Sequence, residues 1–155
     1  MSSESLRTAG VVLMLYPPVV FGGASLLWHW ITRQTAYYDH PTRRSLWRAG
    51  HAHAGVLLLL SLIALRYVDE THLSDRARWL VRLAFPTAAL LLPLAFFLSV
   101  LTPDATAPNP LVNLAYLGAA LLVTAMLTLG VGLVRARSTS GSAITRQSSL
   151  MERSQ

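Results

Sequence analysis

Four of the five histidines of this chain fall close together in its first half: His29, His40, His51 and His53. An imidazole can bind a metal ion or haem iron and can exchange a proton near neutral pH. His51 and His53 are two residues apart, so on a regular helix they point about 200° away from each other. One ion therefore cannot be held by both, unlike the i, i+4 histidine pair of zinc enzymes. We expect two separate sites, or one site and one hydrogen bond.

The neighbours of this pair favour a haem, which needs only one axial imidazole from a helix and small residues that let the porphyrin approach. Small residues surround the pair: Gly50, Ala52, Ala54 and Gly55. Arg48 lies one turn before His51 and could pair with a propionate, because a guanidinium forks onto a carboxylate. We predict a haem b or a copper ion held by His51 and His53, with His29 as a further candidate ligand.

The segment His51-Ala52-His53, followed by small and apolar residues, resembles a membrane helix in the main subunit of haem-copper oxidases. In that family two histidines with this spacing face opposite ways, and each ligates a different haem. The resemblance implies that His51 and His53 are haem ligands. It covers one short segment, and the family's copper-ligating histidines have no counterpart here, so it implies haem binding without oxygen reduction.

Other interpretations of these side chains remain open. His51 and His53 could form hydrogen bonds between helices or contact lipid headgroups, and Arg48 could extend to a phosphate headgroup. His29 lies between two tryptophans, as an interfacial anchor would. Asn113 and Tyr116 are three residues apart on a predicted helix, so they share a face that could point into the bundle and complete the site. Ordinary helix packing is the alternative for both.

The composition indicates the setting of these residues. The chain has 155 residues, of which 53% are apolar and 13% charged, against roughly 25% charged in soluble domains. With a mean hydropathy of +0.45, this favours a small integral membrane protein. The chain lacks cysteine, which excludes disulfides, thiolate metal sites and a cysteine nucleophile.

Four apolar runs are long enough to cross a bilayer as helices. They cover about residues 9–32, 49–67, 80–101 and 111–134. We predict an all-α bundle of four transmembrane helices, running up and down with short loops, in residues 1–137. Kinks are expected at Pro17-Pro18, Pro86 and Pro93. Residues 138–155 are polar and few of them are large and apolar, so we predict a flexible cytoplasmic tail.

The cations predict the orientation of the bundle. All 13 are arginines, and the net charge is +6. Nucleic acid would be one explanation of such a charge, but these cations lie between apolar runs, where they set orientation. Nine fall on the side of the termini and four on the other. We therefore expect a cell-membrane protein with both termini in the cytoplasm and no nucleic-acid partner. Arg76, Arg78 and Arg82 are expected to be solvated at a helix start.

Three functions are compatible with these features. The first is a redox or electron-transfer protein that binds haem or metal near the outer leaflet. The second is a non-enzymatic accessory or structural subunit that binds another membrane subunit or a second copy of itself. The third is a small carrier for an apolar substrate, since no acidic residue lies inside a span. The chain has no P-loop, dinucleotide fingerprint or Gly-x-Ser-x-Gly motif, so an autonomous enzyme is not expected.

Overall fold

The computed structural model describes residues 1–102 and 104–152, with side chains described as far as residue 136. Its elements are helices with irregular connections, and the described residues form no strand. They are α1 (Ser3–Met14), α2 (Tyr16–Ile31), α3 (Thr35–Tyr38), α4 (Pro41–Val68), α5 (Asp75–Leu98), a 3-10 helix (Pro110–Asn113) and α6 (Leu114–Glu152). The predicted all-α fold is confirmed.

Four stretches of helix are long and apolar enough to span a membrane: Ser3–Ile31, Pro41–Val68, Asp75–Leu98 and Pro110–Ala136. Many large apolar side chains on these helices are exposed, including Phe21 (76%) and Leu127 (65%). Exposed apolar surface on this scale fits a lipid environment. The chain therefore has the architecture of a multi-pass membrane protein.

Two helix boundaries differ from the sequence prediction. The second span begins at Pro41 rather than near residue 49, because proline suits the first turn of a helix and residues 41–48 extend that helix beyond the apolar run. The third span begins at Asp75, where the Ser74 hydroxyl accepts a hydrogen bond from the Ala77 N–H. It continues through Pro86 and Pro93 without ending.

The first span consists of two helices, α1 and α2, which meet at Leu15. Pro17 and Pro18 follow immediately, and neither has an N–H to donate to the preceding turn. The predicted interruption at these prolines is therefore present as a helix boundary.

The helices pack around a central pair, α4 and α5. Helices α1 and α2 pack mainly on α4, whereas α6 packs mainly on α5. Within the described residues, neither α1 nor α2 contacts α6. The core between α4 and α5 contains Leu57, Leu58, Leu65, Ala88, Ala89 and Leu92. Because α2 has one long neighbour only, a groove is left between α2 and α4.

Helix α6 continues to Glu152. Residues 153–155 and the side chains after residue 136 lie outside the described part of the chain. The flexible polar tail at residues 138–155 stays a prediction.

Candidate functional site

His51 and His53 face different helices, as their spacing predicts. The His51 ring lies against Gly23 of α2, where an added Cβ would be 2.8 Å from its Nε2 and Cε1 atoms. The His53 ring is exposed and meets Phe96 of α5 edge-on, with ring centroids 5.4 Å apart. The two imidazoles therefore belong to two different surfaces of α4.

The hydrogen bonds of the two rings also differ. His53 Nδ1 lies 2.8 Å from the Ala49 carbonyl oxygen, one turn back on the same helix. His51 makes no hydrogen bond within the described part of the chain and is half-buried. Neither ring nitrogen of His51 is therefore committed to a hydrogen bond, although Nε2 packs against Gly23.

His51 lies at the wall of the groove between α2 and α4, which encloses about 710 Å³. The walls are mainly apolar, and among the described residues that line them the ionisable groups are Arg48, His51 and the phenol of Tyr37. The lining includes Leu26, Trp30, Tyr37, Arg48, His51 and Ala52. This volume lies within the range of small-molecule and cofactor pockets, about 300–1,000 Å³.

Tyr37, between the first two spans, is the buried aromatic residue of this groove, with an exposed fraction of 2%. Its ring contacts His29 and Trp47, at centroid distances of 5.9 and 6.1 Å. Burial raises the pKa of the Tyr37 phenol and outweighs the opposing charges of Arg48 and Arg44. The phenol is therefore neutral at physiological pH and can donate a hydrogen bond.

His29 is positioned by its own helix. Its Nδ1 lies 2.6 Å from the Ser25 carbonyl oxygen, which leaves Nε2 available. A histidine held through one ring nitrogen in this way is oriented as metal-binding histidines usually are. His29 contacts Tyr37 but does not line the groove itself.

The small residues expected to surround a haem do not all face the groove. Ala52 lines the groove. Gly50 instead packs against the Phe97 ring of α5, and the Gly55 carbonyl accepts a hydrogen bond from the Tyr16 hydroxyl at 3.2 Å. Of the four expected residues, Ala52 is therefore the one in the described lining of the groove, which also includes Ala49.

Asn113 and Tyr116 are not brought to the histidines. Both are exposed, and Tyr116 has an exposed fraction of 75%. The cause is the packing of α6 on α5, where Gly118 allows close contact with Leu91 and Leu92. The shared face of Asn113 and Tyr116 thus points away from the bundle interior.

Arg43 is a structural residue that the sequence did not distinguish from its charged neighbours. It is 3% exposed and donates from Nε to the Val100 carbonyl oxygen at 3.0 Å. Its two terminal nitrogens donate to the carbonyl oxygens of Ala36 and Thr102. Arg43 thereby ties the loop before α4 to the loop after α5. The end of the bundle that holds these two loops is called the aromatic end, after Trp30, Tyr37, Tyr38 and Trp47.

The opposite end, called the N-terminal end, carries Ser2, Asp69 and Arg82. Arg82 donates to an Asp69 oxygen at 2.7 Å and also pairs with Glu4. The expectation that Arg82 is solvated is wrong, because its side chain is 10% exposed.

Asp69 has several donors at this end, the Arg82 guanidinium, the Ser2 N–H and the Ser5 hydroxyl. Burial alone would raise the pKa of Asp69, but these hydrogen bonds outweigh burial and lower it to about 2. The carboxylate is therefore ionised at any physiological pH.

No group of three or more His, Cys, Asp or Glu side chains that could hold a metal ion occurs in the described part of the chain. No family model matches the sequence, and no curated protein or solved structure is significantly similar to it.

Proposed function

We propose that this protein binds a haem b in the groove between α2 and α4 and serves in electron transfer within the membrane. The observation that carries the proposal is the position of His51. It is an imidazole without an internal hydrogen bond, in the wall of a mainly apolar groove, beside a guanidinium. These are the groups that an axial ligand site with a propionate partner requires.

The groove residues fit such a group in three respects. The His51 ring can pack against α2 because residue 23 is glycine. The small side chain of Ala52 leaves space in the groove beside it. Arg48 is exposed at the groove and has no salt bridge in the described chain, so its guanidinium can bind a carboxylate. A haem b, when bound, supplies one-electron redox chemistry. Leu26, Leu27 and Trp30 would exclude water from one side of the site.

His53 and His29 do not line the groove, so they are not the proposed ligands of the haem in it. His53 is exposed on the α5 side of α4, so a haem on His53 would be a second one, as the resemblance to the oxidase helix implies. His29 contacts the groove through Tyr37. The arrangement favours haem over a copper ion, since a chelated ion needs several ligands that converge and the described residues bring no three such side chains together.

The test uses two histidine variants of the purified protein. Haem b is titrated into detergent-solubilised protein, and the Soret band reports binding. We expect His51→Ala to weaken binding in the groove by at least about tenfold, and the matched control His53→Ala, on the α5 side of α4, to keep the affinity of the groove site. Equal loss in both variants, or no Soret shift with the unchanged protein, would contradict the proposal.

A colourless protein would favour an accessory or structural subunit. This second function is supported by the exposure of the first span, because only 6% of its most apolar stretch is buried against the rest of the chain. A photo-crosslinking residue in place of Phe21, which is 76% exposed, tests it in native membranes. One crosslinked protein of defined mass, identified by sequencing, supports a partner subunit, whereas crosslinks to lipid alone contradict it.

We also propose that the N-terminal end faces the cytoplasm of the cell. Arg66, Arg76, Arg78 and Arg82 lie at that end, which is the orientation that the positive-inside rule favours. The lack of cysteine makes single-cysteine labelling direct. In intact cells, an impermeant maleimide should label Gln34→Cys at the aromatic end and not His72→Cys. The reverse pattern would invert the topology.

A further inference from the structure

The aromatic end has a second polar feature around the turn that follows α2, and it adjoins the groove through Trp30. Arg33 and Arg44 both lie over the ring of Tyr38, at 5.7 and 6.0 Å from its centroid. Arg44 also lies 5.4 Å from the ring centroid of Trp30. Two guanidinium groups are thus held beside the Tyr38 ring, and that of Arg44 also lies beside Trp30. We call this arrangement the Arg33–Arg44 cluster.

No carboxylate neutralises this cluster in the described part of the chain. The salt bridges there involve Arg66, Arg78 and Arg82. Asp39 and Asp104, the acidic residues near the aromatic end, form none. Arg44 uses one terminal nitrogen to donate to the Tyr38 carbonyl oxygen at 2.6 Å, and its other donors remain free for an anion.

The backbone gives independent evidence on Arg33. Its φ is 49°, and it is the one non-glycine residue with a positive φ among those described. It ends α2 in a Schellman turn, in which Gln34 N–H donates to the His29 carbonyl and Arg33 N–H to the Trp30 carbonyl. Glycine is the usual residue at this position because a Cβ there costs free energy. Such strain concentrates at functional positions, and here it places a guanidinium beside Tyr38.

We infer that the Arg33–Arg44 cluster binds the phosphate of an anionic phospholipid. A guanidinium pairs with phosphate through two hydrogen bonds, and ring stacking holds it in place without using its edge donors. Trp30 and Tyr38 lie at the end of a span, the depth at which such rings meet lipid headgroups. The adjacent exposed apolar residues of α2, Leu27 and Ile31, offer a surface to the acyl chains. This site does not depend on haem binding.

Arg33→Gly is the decisive variant, because it removes the guanidinium and also removes the backbone strain of a side chain at positive φ. The full chain is reconstituted in nanodiscs of phosphatidylcholine with a minor fraction of phosphatidylglycerol, and native mass spectrometry counts the lipids that remain bound. We expect Arg33→Gly and Arg44→Ala each to lower the ratio of bound phosphatidylglycerol to phosphatidylcholine roughly fivefold. The melting temperature of Arg33→Gly should equal or exceed that of the unchanged protein.

The matched control is Arg76→Ala, which removes one exposed cation from the N-terminal end. It should leave the lipid ratio unchanged, and an equal fall would show a general attraction of anionic lipid to the basic chain and overturn the site. An unaltered ratio in Arg33→Gly would overturn it as well. Inorganic phosphate added to discs of phosphatidylcholine alone should not raise the melting temperature. A rise that Arg33→Gly abolishes would assign the cluster to free phosphate and contradict the lipid assignment.

Discussion

The two ends of the bundle use the same cation in opposite ways. At the N-terminal end, Arg82 is paired with Asp69 and Glu4, and the pair closes the space between α1, α4 and α5. At the aromatic end, Arg43 donates to backbone carbonyls and Arg44 stacks on Trp30. Arg82 at the N-terminal end is thus neutralised internally, whereas the aromatic end keeps Arg44 and a groove open to ligands. Partners, and not residue type, decide whether an arginine stabilises the fold or serves a site.

One of the two largest expected effects is at the N-terminal end. Arg82→Ala would leave the half-buried Asp69 carboxylate without its guanidinium, although Ser2 and Ser5 still donate to it. We expect the loss of these charge-assisted hydrogen bonds to cost about 2–3 kcal/mol of unfolding free energy. Arg78→Ala is the control, because its partner Asp75 is 95% exposed and such pairs contribute about 0–1 kcal/mol. Denaturant unfolding in mild detergent measures both. Similar losses would show that the Arg82 network is no stronger than a surface pair.

Arg43→Ala tests whether the aromatic end has a stabilising arginine of its own. The variant leaves the Val100, Ala36 and Thr102 carbonyls without their shared donor, which we expect to cost about 2–3 kcal/mol. Arg44→Ala serves as the control and should cost less than about 1 kcal/mol. If the two losses are equal in the same unfolding assay, Arg43 is not the residue that joins the loops.

Acid should weaken the two ends unequally. The pKa of Asp69 is lowered from 3.8 to about 2 in the folded protein. Its contribution is therefore fully present above pH 4 and is lost as the pH falls toward 2. We expect a loss of about 1–2 kcal/mol over this range, measured as the fall in melting temperature from pH 5 to pH 2. Asp69→Asn should show a smaller fall, and an identical fall would assign the acid effect to other carboxylates.

The smallest effect concerns the groove at the aromatic end. A Cβ on residue 23 would lie 2.8 Å from the His51 ring, so Gly23→Ala should displace that ring and cost about 1 kcal/mol. Haem affinity should fall with it. Gly22→Ala is the control, because its Cβ meets nothing within 4 Å and alanine favours helix. Soret titration and thermal unfolding of both variants would sharpen the comparison, and equal haem affinities would argue against His51 as the ligand.

The sequence predicted those features that depend on local periodicity. Four apolar runs predicted four spans, and the angle between successive helical residues predicted that His51 and His53 face different neighbours. The Arg82–Asp69 pair was missed because it depends on how α4 and α5 meet. Asn113 and Tyr116 were predicted to share a face that could point into the bundle, but both side chains are exposed. Their exposure follows from the packing of α6 on α5, a choice among helices that periodicity does not encode.

The boundary at Leu15 has a mechanical consequence for the groove. Helix α1 is fastened by the hydrogen bonds of Ser2 and Ser5 to Asp69, while α2 beyond the boundary rests mainly on α4. Pro17 and Pro18 remove two N–H donors at the joint, so the first span is less stiff there than a continuous helix. We expect α2 to tilt about Leu15 while α1 stays in place. The width of the groove would then adjust to its occupant without loosening the opposite end.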